Sequence, residues 1–299
     1  MKHNVPVHSA SPISAPLIDV AQLALRLAQP QALPLLIDCS FDLGNATAGQ
    51  RAFAAAHLPG AAYLHLEHDL SGERTGSNGR HPLPPRARFA ELMAELGADD
   101  DTLVVAYDNA DGMGAARLWW MLRWAGHAAA CVLDGGLGAW RAAGQTLEPG
   151  ERPAPRRRGR FSLRPTLAHV VEYAALAEGL AQGRYLVVDA RAPQRYRGEV
   201  EPIDPVAGHI PGAVNRFYRD NLLPTLRFKP RESLRAEWLA LLGGRDIGQV
   251  VNQCGSGVTA CHNLLALEVA GLGGGTLYPG SWSEWCAQPG APVATGGGP

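Results

Sequence analysis

The sequence predicts an α/β protein of two tandem domains, each a mainly parallel sheet flanked by helices. Three observations predict it. With 299 residues, the chain exceeds the size at which one hydrophobic core usually stops growing. Hydrophobic residues make up 46%, charged residues 18%, and the net charge is -1, a globular composition. Four sequence features then occur twice in the same order, and short apolar runs alternate with helical periods throughout.

The first repeated feature is an apolar run closed by a carboxylate, Leu35-Leu36-Ile37-Asp38-Cys39 and Leu186-Val187-Val188-Asp189-Ala190. Such runs are strands of a sheet covered on both faces. The second is His57-Leu58-Pro59-Gly60-Ala61, answered by His209-Ile210-Pro211-Gly212-Ala213. A second apolar run follows in each half, Leu103-Val104-Val105-Ala106-Tyr107 and Val250-Val251-Asn252-Gln253, each leading through a Gly-containing turn into a helical period. Leu133-Asp134-Gly135-Gly136 with Trp140 finally matches Leu277-Tyr278-Pro279-Gly280 with Trp285. The repeats divide the chain into an arm (1–15), an N-terminal domain (16–149), a linker (150–164), a C-terminal domain (165–294) and a tail (295–299). The linker carries Pro153, Pro155 and Arg156-Arg157-Arg158 with almost no apolar residues, so it reads as a solvated connection.

A near-neutral chain has no long-range attraction for nucleic acid or acidic membranes. No apolar run reaches the ~20 residues of a membrane span, and the first sixteen residues do not read as a signal peptide. Five scattered cysteines (Cys39, Cys131, Cys254, Cys261 and Cys286) form neither a disulfide framework nor a C-x-x-C pair. A reducing cytoplasm is the expected compartment.

The halves differ after the second apolar run. The first reads Tyr107-Asp108-Asn109-Ala110-Asp111-Gly112, the second Cys254-Gly255-Ser256-Gly257-Val258-Thr259-Ala260-Cys261. Cys254 follows a strand and precedes a helix starting near Val258. Gly255 and Gly257 allow the backbone to curl into a nest of N–H groups, which with the positive helix end favours a thiolate. This context makes Cys254 a nucleophile. Cys261, inside the helix, reads as packing, and packing is the default for Cys39, Cys131 and Cys286.

At these residues the chain resembles the tandem-domain sulfurtransferases of the rhodanese superfamily, over about residues 16–294. The marks are the Cys254–Ala260 loop, the two His-(Leu/Ile)-Pro-Gly-Ala segments, and Gly280-Ser281-Trp282-Ser283-Glu284-Trp285. The resemblance implies a silent N-terminal domain and a persulfide carried on Cys254. It assigns Ser256, His81 and Glu67 (more often Asp in relatives) to a proton-handling group, and places Gly255, Gly257, Val258 and Thr259 around the substrate. Proton supply near neutral pH suits a histidine. Arg195, in Arg191-Ala192-Pro193-Gln194-Arg195, would clasp a donor carboxylate with its guanidinium fork, whereas Arg191 reads as structural. An uncharged Gly-Ser-Gly after the cysteine goes with 3-mercaptopyruvate as donor; thiosulfate-preferring members carry Arg and Lys there.

One position departs from the pattern. Relatives carry a second arginine shortly after Glu-Pro, and here Glu201-Pro202 is followed by Ile203. Either Arg197 or Arg117 takes over, or mercaptopyruvate is not the preferred donor. The expected reaction passes sulfur from a small-molecule donor to cyanide, a thiol or a thioredoxin-like acceptor, with no metal or organic cofactor. A cysteine phosphatase would need an arginine six positions after the cysteine, where Ala260 stands. A persulfide-binding regulatory module is the non-enzymatic alternative, and such modules often lack the cysteine.

Overall fold

The computed structural model describes residues 15–29, 33–150 and 157–298. The expected arm up to residue 14, linker residues 151–156 and residue 299 lie outside them.

In the first half the elements run β1 (Leu17–Ile18), α1 (Val20–Leu27), β2 (Leu35–Asp38), α2 (Ala48–Ala55), β3 (Ala62–Tyr63), α3 (Arg86–Glu95), β4 (Val104–Tyr107), α4 (Met113–Trp124), β5 (Ala130–Leu133) and α5 (Gly136–Ala142). The second half repeats them as β6 (His169–Val170), α6 (Tyr173–Ala181), β7 (Leu186–Asp189), α7 (Pro193–Tyr196), β8 (Val214–Asn215), α8 (Arg231–Leu242), β9 (Val250–Gln253), α9 (Thr259–Val269), β10 (Thr276–Leu277) and α10 (Ser281–Trp285). The sheet orders are β1-β5-β4-β2-β3 and β6-β10-β9-β7-β8, and every pairing is parallel. The two sheets therefore have the same topology. β2, β4 and β9 are buried at every residue, as strands covered on both faces must be.

The repeated sequence features serve the same local purposes in both halves. The carboxylate ending each apolar run turns the chain: Asp38 accepts from the Ser40 amide (2.8 Å) and Asp189 from the Arg191 amide (2.9 Å), as Asx turns do. His57 stacks on Phe53 and His209 on Tyr196, each at 3.9 Å between ring centroids. Each Nδ1 also bonds the main-chain carbonyl of its stacking partner, at 2.8 and 2.7 Å. Both histidines are thus architectural.

α4 and α9 are apolar around nearly their whole circumference. Such helices belong inside a protein, and these two pack against each other. One hydrophobic cluster consequently runs through both halves, joining Trp119, Trp120 and Met121 of α4 to Leu264, Leu265 and Leu267 of α9.

Residues 157–164 depart from the solvated linker expected for 150–164. Arg157 and Arg158 are exposed, but the Arg160 and Ser162 amides donate to Asp99 and Asp100 (2.7 and 2.6 Å), and Phe161 is buried beside His127. The three arginines dominate the composition and mask the one aromatic that docks the segment. The described tail residues 295–298 are exposed, yet the Gly296 amide donates to the Arg197 carbonyl (3.0 Å).

Candidate active site

Cys254 directly follows β9 and opens the loop into α9. Its Sγ accepts from the amides of Ser256 (3.4 Å) and Gly257 (3.1 Å), and the residue is 2% exposed. The nest is real, but the two glycines serve it differently. Gly257 has φ +78°, and a Cβ there would lie 2.5 Å from the Pro279 carbonyl oxygen. Gly255 is not among the positive-φ residues; its missing side chain instead leaves room for arginines above the loop, described below. The segment at the start of α10 braces the loop from behind: Ser281 Oγ accepts from the Cys254 amide (3.1 Å), and the Trp282 and Ser283 amides donate to the carbonyls of Cys254 (2.9 Å) and Gly255 (3.0 Å). Ser281 holds φ +54° to do so.

The N-terminal half supplies the other wall. His81 Nδ1 lies 2.7 Å from Ser256 Oγ, and His81 Nε2 lies 3.8 Å from Glu67 Oε1. The first is a hydrogen bond; the second is only an ion-pair distance, and Glu67 bonds instead to Arg74 at 2.6 Å. The nearby carboxylate favours the tautomer with the proton on Nε2, leaving Nδ1 to accept from the Ser256 hydroxyl. Burial, with Arg117, Arg74 and Arg80 nearby, pushes the His81 pKa down to about 3. The imidazole is therefore neutral at physiological pH. That corrects its expected role as a proton reservoir titrating near neutrality: charging it would require a buried cation among three guanidinium groups.

Arg195, Gly255, Val258 and Thr259 line a cavity of about 190 Å³ with Cys254 and Ser256. Arg195 is not the free fork expected of it. Its Nε donates to Glu201 (3.1 Å) and its Nη2 to Glu201 (2.7 Å) and Asp204 (3.2 Å), so only the Nη1 side stays open. Neither suggested substitute for the missing arginine reaches the cavity. Arg197 pairs with Glu199 at 2.7 Å. Arg117 is fully buried in α4, and its guanidinium donates to the carbonyls of Gly257 (3.2 Å), Leu70 (3.2 Å) and His81 (3.1 Å). It ties the cysteine loop to the histidine segment across the two halves. Arg191 bonds Asp189 (2.6 Å) and the Gly208 carbonyl (2.7 Å) and lies over Trp282, a structural placement.

Arg80 escaped the sequence reading although it precedes His81. It lines the cavity and pairs with Asp204; a cation adjoining a singled-out histidine was the available signal. Cys261 is buried, with its Sγ donating to the Gly257 carbonyl (3.2 Å). Cys39 and Cys131 are buried and Cys286 is partly so, and all five cysteines are free. Among the described residues no cluster of metal-ligating side chains occurs, and no helix is long and apolar enough to cross a membrane.

A cysteine held in an amide cradle, in a chain built of two parallel-sheet repeats, points to the class. The rhodanese-like domain profile matches residues 19–143 and 172–288, and the chain belongs to the rhodanese family. It is 48% identical over 285 residues to a Pseudomonas aeruginosa protein named "Probable 3-mercaptopyruvate sulfurtransferase", covering 95% of this chain and 99% of that one. It is 38% identical over 280 residues to the human 3-mercaptopyruvate sulfurtransferase, covering 91% of each. The structure of 3-mercaptopyruvate sulfurtransferase from Leishmania major superposes with a TM-score of 0.79 at 31% identity, covering 93% of this chain and 75% of that one. The chain is accordingly a sulfurtransferase.

Proposed function

We propose that the protein moves a sulfane sulfur from 3-mercaptopyruvate to a thiol or cyanide acceptor through a persulfide on Cys254. The Ser256–His81 hydrogen bond carries this reading: it sets a neutral proton relay beside the nucleophile. In the first half-reaction the Cys254 thiolate attacks the donor's sulfur, and the carbon–sulfur bond breaks with its electron pair staying on carbon. The donor's own S–H proton then passes through Ser256 and His81 to the enolate carbon, giving pyruvate and a deprotonated persulfide. No net proton is consumed, so a neutral imidazole suffices. The Ser256 and Gly257 amides that hold the thiolate also stabilise the persulfide anion.

On this reading Glu67 orients His81 electrostatically across 3.8 Å, and Val258 and Thr259 shape the cavity wall. The division of labour follows the repeats, with residues 16–149 as the silent half and 165–294 as the catalytic half. In the second half-reaction a thiol, which in the cell includes thioredoxin-like proteins, removes the outer sulfur. The five free cysteines suit the reducing cytoplasm.

The test is the rate of sulfur transfer to cyanide from 3-mercaptopyruvate and from thiosulfate under matched conditions, with mass spectrometry of the donor-treated protein. A large preference for mercaptopyruvate and one added sulfur on Cys254 support the proposal. A preference for thiosulfate overturns the donor, and absence of the adduct overturns the persulfide.

A further inference from the structure

Two guanidinium groups from opposite halves meet above the cysteine loop. A Cβ built on Gly255 would lie 2.8 Å from Arg80 Nη2, and 3.4 and 3.6 Å from Arg195 Nη1 and Nη2. Asp204 stands between the two arginines, its Oδ1 accepting from Arg80 Nη1 and its Oδ2 from Arg195 Nη2 at 3.2 Å. The Asp204 side chain is 3% exposed, whereas those of Arg80 and Arg195 are 22% and 18% exposed. Glu201 takes the remaining bonds of the Arg195 fork. Arg80 Nε and Nη2 and Arg195 Nη1 make no hydrogen bond to any described residue, and Arg80 Nη2 and Arg195 Nη1 are the atoms of the two arginines nearest a Cβ built on Gly255. Both arginines line the cavity that holds Cys254 and Ser256.

We infer that Arg80 and Arg195 together bind the donor's carboxylate, one from each half of the chain, so that Arg80 is a substrate-binding residue that determines donor specificity. Asp204 is the spacer that fixes both forks, which lowers the ordering cost of binding. The second cation thus comes from the N-terminal half, next to His81, and the Ile203 position needs none. A planar carboxylate matches open guanidinium edges, and a charge-assisted hydrogen bond in a part-buried site is among the stronger polar contacts. This rests on the mercaptopyruvate reading for the identity of the donor, but not for the anion that the arginines bind.

Two measurements test it. Binding of pyruvate, the keto acid left after desulfuration, is measured by titration calorimetry on wild type, Arg80→Met and Arg80→Lys. Sulfur transfer to cyanide is measured with 3-mercaptopyruvate and with mercaptoacetone, which has the same thiol and ketone but no carboxylate. Arg80→Met is expected to weaken pyruvate binding about ten-fold, to raise KM for mercaptopyruvate more than it lowers kcat, and to shrink the preference for mercaptopyruvate over mercaptoacetone by a similar factor. Arg80→Lys should recover part of each loss. Unchanged pyruvate affinity in Arg80→Met, or parallel losses with both donors, overturns the inference and leaves Arg80 a tie between the halves. Wild-type protein that binds no pyruvate overturns it too. A wild-type preference for thiosulfate instead defeats the donor assignment alone, because pyruvate binding still decides the role of Arg80.

Discussion

The loops after β4 and β9 occupy the same place in two copies of one fold, yet only one carries a thiol. In the first, the Asp108 carboxylate accepts from four backbone amides, those of Ala110, Gly112, Gly114 and Ala115, at 3.0–3.1 Å. In the second, Cys254 Sγ accepts from two. A strand-to-helix turn makes an anion cradle in both cases. The N-terminal cradle is filled permanently by a side chain of its own. The C-terminal one holds a thiol sulfur, which on the proposed reading gains and loses a second sulfur, and it keeps a cavity in front. On the proposed reading the first half is silent because its cradle is occupied, not because the backbone device has decayed.

The most severe way to test this contrast is to exchange the anions. Cys254→Ser should reduce sulfur transfer to background, because no other thiol sits in an amide cradle facing the cavity. Asp108→Cys should form no persulfide with the same donor, having no Ser256–His81 pair beside it. A donor-dependent adduct at position 108, read by peptide mass spectrometry, would show the halves to be closer than argued. Next in size, Ser256→Ala and His81→Asn should each lower kcat by about 10²-fold. Because folded His81 stays neutral down to about pH 3, the wild-type pH–rate profile should show no acid limb near 6.5; one that disappears in His81→Asn would break the neutral relay.

Asp108→Ala isolates the structural side of the comparison. It leaves buried amides without their acceptor and should cost about 2–4 kcal/mol in denaturant unfolding, while activity per folded molecule stays within about two-fold. The smallest effect concerns the eighth residue after each anion, Ala116 in one half and His262 in the other. Burial pushes the His262 pKa from 6.5 down to about 4. Between those values the unfolded chain binds the proton and the folded one does not, so stability falls as pH drops through that window. Thermal unfolding at neutral and mildly acidic pH should show His262→Gln losing less on acidification than wild type, by up to about 2 kcal/mol.

What could be read from the chain follows the same contrast. β2, β4, β7 and β9 announce themselves as apolar runs, and the cysteine loop as a strand-to-helix turn. Two-residue strands such as β3 and β8 are too short to show any period, and only tertiary pairing reveals them. Cys254 was singled out by its strand-to-helix loop, and Ser256 and His81 by the family resemblance; the structure brings the three side chains together. Arg80, Glu201 and Asp204 were not singled out, because their meaning is spatial: Asp204 joins an arginine 124 positions upstream to one nine positions upstream. The reading of Arg195 as a carboxylate fork omits its own partners for that reason, since spacing alone does not reveal that neighbouring carboxylates fold back onto it.

The unbroken core across α4 and α9 has a consequence for how this catalyst works in time. Trp119 and Trp120 belong to the cluster that spans both repeats, so parting the halves would expose that surface to water. On that account the cavity is expected to keep its width, and reactants to be chosen by fit through a standing doorway. Slim acceptors, such as the cyanide or small thiol of the proposed reaction, should pass it readily. A bulky protein acceptor would have to extend a narrow loop or terminus to collect the sulfur.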